Sequence, residues 1–205
     1  MKFYPYLIVA SLFICKISTA QNHIHFGIKG GCGLSTFEYK KRDRGYYNLE
    51  LTWTPSFYGG FMANAPFGKF FFQPEVLYSL RGFRYPNHTR GTRYHYLSMP
   101  LLLGFKPLKN LSILAGPEFG YVLSSRSHFT MNGPANTTKY ITYRNTIDID
   151  AGLAWAITPK LQAEARYVCG IKPLYREATT SGTNPEFKKD GYGYVFQIGA
   201  SYRLR

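Results

Sequence analysis

Acidic side chains and cysteine are what this chain has least of. Eleven Asp and Glu stand against 25 Lys and Arg, a formal charge of +14, and there are three cysteines and two tryptophans in 205 residues. Cys15 falls inside an apolar leader and has no small residue before it, which argues against lipidation there. Cys32 and Cys169 fall on the first and seventh of the strands predicted below, which are not neighbours in an eight-stranded barrel, so no disulfide framework is expected. Two thiols at that spacing make no metal site, and no cofactor is expected. After the leader no run reaches the roughly 18 apolar residues of a membrane helix, so any insertion into a bilayer must be made by strands. Neither G-x-S-x-G nor H-E-x-x-H occurs. His88, His95 and Ser98 gather near one strand end, but His95 and Ser98 have opposite parity and cannot share a face of a regular strand. No catalytic residue is assigned.

The first 20 residues form an export signal: Lys2, an apolar run from Tyr6 to Cys15, and Ser18-Thr19-Ala20 with small residues at −3 and −1 of a cut before Gln21. The remaining 185 residues suit one domain and carry 23 basic and 11 acidic side chains, a charge of +12. Basic and aromatic together superficially fit nucleic acid. Export and the placement of the aromatics on an apolar face exclude that partner. The three Asn-x-Ser/Thr triplets at Asn87, Asn110 and Asn136 have meaning only in a eukaryotic secretory route and are read as coincidence.

What fills the mature chain is alternation. Eight segments, about 24–37, 49–62, 70–81, 93–105, 111–124, 147–155, 161–167 and 192–204, set apolar residues against polar or glycine at every second place. Phe72, Pro74, Val76, Tyr78 and Leu80 oppose Gln73, Glu75, Ser79 and Arg81. Phe196, Ile198, Ala200, Tyr202 and Leu204 oppose Gln197, Gly199, Ser201 and Arg203. Most of these segments run 10 to 15 residues, long enough to cross a bilayer at a tilt. Short turns at 64–69, 106–110 and 157–160 alternate with long polar connectors at 38–48, 82–92, 125–145 and 171–191. The predicted fold is an all-β, eight-stranded antiparallel up-and-down transmembrane barrel in a bacterial outer membrane, with long loops outside the cell and both termini in the periplasm. Trp53, Tyr78, Trp155, Tyr167, Tyr194 and Tyr202 are placed at the interfaces as girdles.

Turned inward are Lys29, Glu75, Arg81, Glu118, Asp148, Asp150, Glu164, Arg166 and Arg203. Five carboxylates and four cations in a narrow lumen predict an ion-pair network and a closed interior. The four long connectors carry 13 basic and five acidic residues. Lys40, Lys41, Arg42, Arg44, Arg84 and Arg90 are the candidate contacts for the phosphates and carboxylates of outer-leaflet glycolipid. Expected partners are therefore outer-membrane lipids and glycolipid, and other envelope proteins. The functional expectation is a structural, adhesive or envelope-interaction role without an open pore. The alternatives are a lipid-modifying enzyme and a secreted lipocalin-like barrel.

Phe26-Gly27-Ile28-Lys29-Gly30-Gly31, Phe72-Gln73-Pro74-Glu75-Val76-Leu77-Tyr78-Ser79, Tyr96-Leu97-Ser98-Met99-Pro100-Leu101-Leu102-Leu103, Gly116-Pro117-Glu118-Phe119-Gly120 and Gly199-Ala200-Ser201-Tyr202-Arg203-Leu204 follow one another in order. With them the whole mature chain resembles the outer-membrane β-barrel domain family common in the Bacteroidota, which includes the PorT-like proteins. The resemblance implies insertion by the outer-membrane barrel assembly machinery. It implies no catalytic residues.

Overall fold

The computed structural model describes residues 24–41, 51–86, 91–130, 133–138, 141, 143–181 and 184–204. The export signal at 1–20, and Arg42, Arg44, His88 and Arg90, lie outside the described residues.

Eight wall strands close on themselves: β1 (His25–Lys41), β2 (Thr54–Phe67), β3 (Phe70–Arg84), β4 (Gly91–Phe105), β5 (Leu111–Thr130), β7 (Asn145–Ala156), β8 (Leu161–Gly170) and β10 (Asn184–Arg203). Neighbours pair antiparallel in chain order, and β1 pairs with β10 to seal the wall. Closure removes the free edges that would otherwise have to be hydrogen-bonded by lipid, which cannot do it. β6 (Gly133–Asn136) pairs with β5 and β9 (Tyr175–Ser181) pairs with β10, so two of the long connectors continue the sheet beyond the wall.

The wall turns its apolar face outward, as a membrane barrel does. Phe61, Phe26, Leu103, Val76, Ile198 and Phe196 face outward, with Val76 and Ile198 each 49% exposed, while Glu75 beside Val76 is 1% exposed. A soluble ligand-binding barrel needs the reverse arrangement, so the lipocalin-like alternative fails on orientation. Trp53, Tyr78, Trp155, Tyr167 and Tyr202 are all outward, as girdle residues should be.

Several strands run past their expected ends into the long connectors, β1 to Lys41, β5 to Thr130 and β10 from Asn184, and two differences from the sequence reading are local. Strand β2 starts at Thr54 and runs on to Phe67, so the segment 64–69 is mostly strand and the reversal is made by Gly68 and Lys69 alone. Phe67 pairs with Phe70 and their rings stack at 6.2 Å. That aromatic cross-strand pair outweighs Pro66, which had signalled an earlier turn. Gly68 has φ +68°, as the first central position of a two-residue hairpin turn demands. Gly68→Ala should lower stability by about 1–2 kcal/mol, the cost of a left-handed residue with a Cβ, read as the shift in urea unfolding of lipid-inserted protein.

The second difference is in β5. A bulge between the pairs His95–Ser124 and Tyr96–Val122 adds a residue to β5 and inverts its parity. Below it Glu118 and Val122 face inward; above it Ser125 and Ser127 do. Those two serines bond Thr137, and Ser127 also meets Thr92 across the sheet at 2.7 Å.

Candidate functional site

Five strands carry ionisable side chains into the lumen, because the pleat turns every second residue inward. Lys29 on β1 lies between two carboxylates: its Nζ is 2.8 Å from Glu75 Oε1 on β3 and 2.7 Å from Glu164 Oε1 on β8. Arg166, two residues along β8, donates from Nη1 to Glu75 Oε2 at 2.7 Å and grips Asp150 on β7 with Nε and Nη2. Tyr58 on β2 donates its hydroxyl to Glu164 at 2.8 Å. Gln73 donates to Glu75 at 2.8 Å and accepts from Asn64 at 3.0 Å. Glycine makes the room for this: a Cβ on Gly199 would stand 2.3 Å from the Tyr58 hydroxyl and one on Gly31 2.8 Å from its ring.

A second cluster lies one layer nearer the long connectors. Arg81 on β3 binds Glu118 on β5, stands 3.6 Å from Asp148 on β7, and reaches Ser79 with Nε at 3.2 Å. Its guanidinium lies 5.1 Å from the ring centre of Tyr96, and Thr146 donates to Asp148 at 3.4 Å. The void beside this cluster is about 10 Å³, room for a single water at most.

Eight of the nine inward candidates are thus brought together. The ninth, Arg203, stands apart at the short-turn end, and among the described residues no carboxylate meets it. Its strand reaches the rim there, where Arg203 N bonds Lys160 O in the turn after β7. The buried interior set is then five carboxylates, Glu75, Glu118, Asp148, Asp150 and Glu164, against Lys29, Arg81 and Arg166. Each cation is shared by at least two carboxylates.

Apolar layers bound the ionic ones, and the sequence reading did not anticipate them. At the long-connector end Phe37, Phe83, Tyr94, Tyr96, Val122, Ile141 and Leu174 form one inward cluster. Phe37 packs on Phe83 at 5.5 Å and on Tyr94 at 5.2 Å between ring centres. At the short-turn end Phe71, Leu102, Leu114 and Ala154 form another, with Lys106 Nζ 5.2 Å from the Phe71 ring. Among the described residues the lumen thus carries charge in the middle and hydrocarbon at both ends.

Of the glycolipid candidates, Arg84 is exposed on the rim and shares a hollow of about 200 Å³ with Arg93, His128, Thr54 and Thr92. Arg93 is held there by its own bond to Pro55 O at 2.9 Å. Arg93, which flanks the second long connector with Arg84 and Arg90, is brought beside Arg84 as its diagonal cross-strand neighbour, and His128 joins them from outside the expected set. The backbones of Lys40 and Lys41 lie in the β1–β10 extension, opposite Asp190 and Lys189. His95 is half-buried on the outward face, bonded to the Tyr78 hydroxyl, whereas Ser98 is buried inside, so the two do not meet. Cys32 and Cys169 are free thiols. Among the described residues no helix is long and apolar enough to cross a membrane, and no cluster of metal-ligating side chains occurs.

Residues 19–205 match the model of the family described as outer membrane protein beta-barrel domain. Among curated proteins no match was found. Among solved structures, Neisserial surface protein A superposes with a TM-score of 0.56 at 11% identity, over 87% of this chain and 97% of that one. Ail, the attachment invasion locus protein of Yersinia pestis, gives 0.49 at 16% identity over 89% and 99%. OprG of Pseudomonas aeruginosa gives 0.44 at 11% over 88% and 96%. At 11% identity the likeness to Neisserial surface protein A is one of fold alone.

Proposed function

The chain belongs to the outer membrane protein beta-barrel domain family, and we propose that within it this protein is a closed envelope barrel whose long-connector end holds anionic outer-leaflet glycolipid. The observation that carries this reading is the rim hollow of Arg84, Arg93 and His128, which no acidic side chain among the described residues lines. Cationic side chains at the level of the headgroups attract phosphate and carboxylate at a distance and bind them by charge-assisted hydrogen bonds on contact. The 13 basic and five acidic residues of the long connectors extend the same field. Lys40, Lys41, Arg42, Arg44 and Arg90 complete the rim in this proposal.

The orientation is part of it. Long connectors face out of the cell and short turns face the periplasm, as follows from export by residues 1–20 and insertion from the periplasmic side by the barrel assembly machinery. A glycolipid-anchored rim would let the barrel tie neighbouring envelope components together. The finer affiliation with the PorT-like proteins of the Bacteroidota rests on the ordered motifs from Phe26 to Leu204.

The test compares wild type with Arg84→Ser/Arg93→Ser, each inserted in vesicles with and without lipopolysaccharide. Removing two charge-assisted contacts should weaken retention of labelled lipopolysaccharide by at least about tenfold, with heat-modifiable migration unchanged. Equal retention by both proteins rejects the reading.

A further inference from the structure

The opposite mouth carries its own unbalanced charge. Lys106 and Lys109 of the β4–β5 turn and Arg203 at the end of β10 converge on a hollow of about 280 Å³. Ser112 and Gln162, both more than nine-tenths buried, and Asn110 complete its polar lining. No carboxylate among the described residues lines it. Lys106 also reaches the apolar cluster at this end, its Nζ 5.2 Å from the centre of the Phe71 ring. The Arg203 Nε is buried and has no hydrogen-bond partner among the described residues.

Lys106 and Arg203 repel one another here, while Lys109 stands exposed at the mouth. Burial and the neighbouring Arg203 together hold the Lys106 ammonium below the ordinary lysine range. The arrangement is costly as an empty cluster and favourable around an anion. Chains ordinarily avoid a buried guanidinium nitrogen with nothing to donate to. Here the missing partner is an acceptor that the wall strands do not supply. Amide and hydroxyl donors on the same wall suit a tetrahedral oxyanion, which takes several donors at once.

We propose that this mouth is a phosphate-binding site, with Lys106 and Arg203 as its principal donors and Lys109, Ser112, Asn110 and Gln162 around them. It is independent of the glycolipid rim. The hollow opens where the turn Ile157–Lys160 meets the interfacial girdle at Trp155, and Ile157 is itself exposed. A phospholipid headgroup of the adjacent leaflet and a soluble phosphate ester can both present the required group there. Placing this mouth in the periplasm depends on the orientation proposed above; the binding chemistry does not.

Full-length mature protein in a nonionic maltoside micelle, with chloride as the only other anion, is titrated with inorganic phosphate while backbone amide shifts are followed by NMR. A micelle has no sides, so the result is independent of orientation. Saturable shifts are expected at Asn110, Ser112, Thr158 and Gln162. They should weaken by about tenfold or more in Lys106→Gln/Arg203→Gln, persist in Lys106→Arg, and be unchanged in Arg126→Gln at the far end. A second arm adds phosphatidylglycerol or, as its phosphate-free counterpart, diacylglycerol. Matching shifts with phosphatidylglycerol alone identify the headgroup as the source. Shifts with free phosphate but neither lipid identify a soluble phosphate ester. Absence of saturable shifts in both arms, or shifts untouched by Lys106→Gln/Arg203→Gln, overturns the proposal.

Discussion

Arg166→Met is expected to destabilise the barrel by about 3–5 kcal/mol, among the largest losses available from one substitution. Arg166 is 2% exposed and serves Glu75 and Asp150 directly, with Glu164 at 3.9 Å. Methionine fills much of the volume, so the loss measures charge and not a cavity. Glu75 and Glu164 would then share Lys29 alone, and Asp150 would lose the cation that grips it, in a lumen that cannot hydrate them. Unfolding by guanidinium in lipid vesicles reads the change directly. The comparison that isolates the cause is Asp148→Asn. Arg81 is shared by Glu118 and Asp148, so neutralising Asp148 leaves a one-to-one pair and should cost under about 1 kcal/mol. Equal losses from the two substitutions would mean that charge balance does not govern this interior.

The inward row of β3 shows what was legible in the sequence. It reads Phe71, Gln73, Glu75, Leu77, Ser79, Arg81, Phe83, all buried. The polar members stood out because they alternate with an apolar outward row, and parity alone carried Glu75 and Arg81 to the lumen. Phe71, Leu77 and Phe83 did not stand out, since an inward apolar residue looks the same in sequence as an outward one. The same blindness hid Leu102 within Leu101-Leu102-Leu103, where Leu102 is fully buried and Leu103 is exposed to lipid. Period two assigns faces only where the faces differ chemically. Where both are apolar, the wall must first be closed to tell lumen from lipid.

Two further features required pairing information. The bulge in β5 inverts parity above Leu123, so extrapolating the lower pattern would have turned Ser125 and Ser127 outward. Arg203 has the parity of the network and still misses it, because strand position sets its height in the barrel. It stands at the rim, while Lys29 and Arg166 stand mid-wall. Parity fixes which way a side chain points, and register fixes what it meets.

Val76→Arg is the substitution that tests the wall itself. Val76 sits midway along β3 on the lipid face, paired with Phe61 across the sheet. A guanidinium there, with hydrocarbon around it and the nearest headgroups half a bilayer away, should cost about 2–4 kcal/mol. The cost should fall towards about 0–1 kcal/mol when the same change is made at Phe67, beside the short turn, where the side chain can reach water. Depth dependence is the discriminating result, because a soluble β-barrel with an exposed apolar patch would accept arginine at either place and even gain solubility. The inward neighbour Glu75 provides the opposite sign. Glu75→Leu would make the lumen more apolar, yet it removes the carboxylate that Lys29 and Arg166 share, leaving Lys29 to Glu164, Arg166 to Asp150 and the Gln73 amide without its acceptor, and so should destabilise by about 1–3 kcal/mol although it raises hydrophobicity. A charge harmful at residue 76 and required at residue 75 is intelligible only if adjacent side chains on one strand live in different solvents.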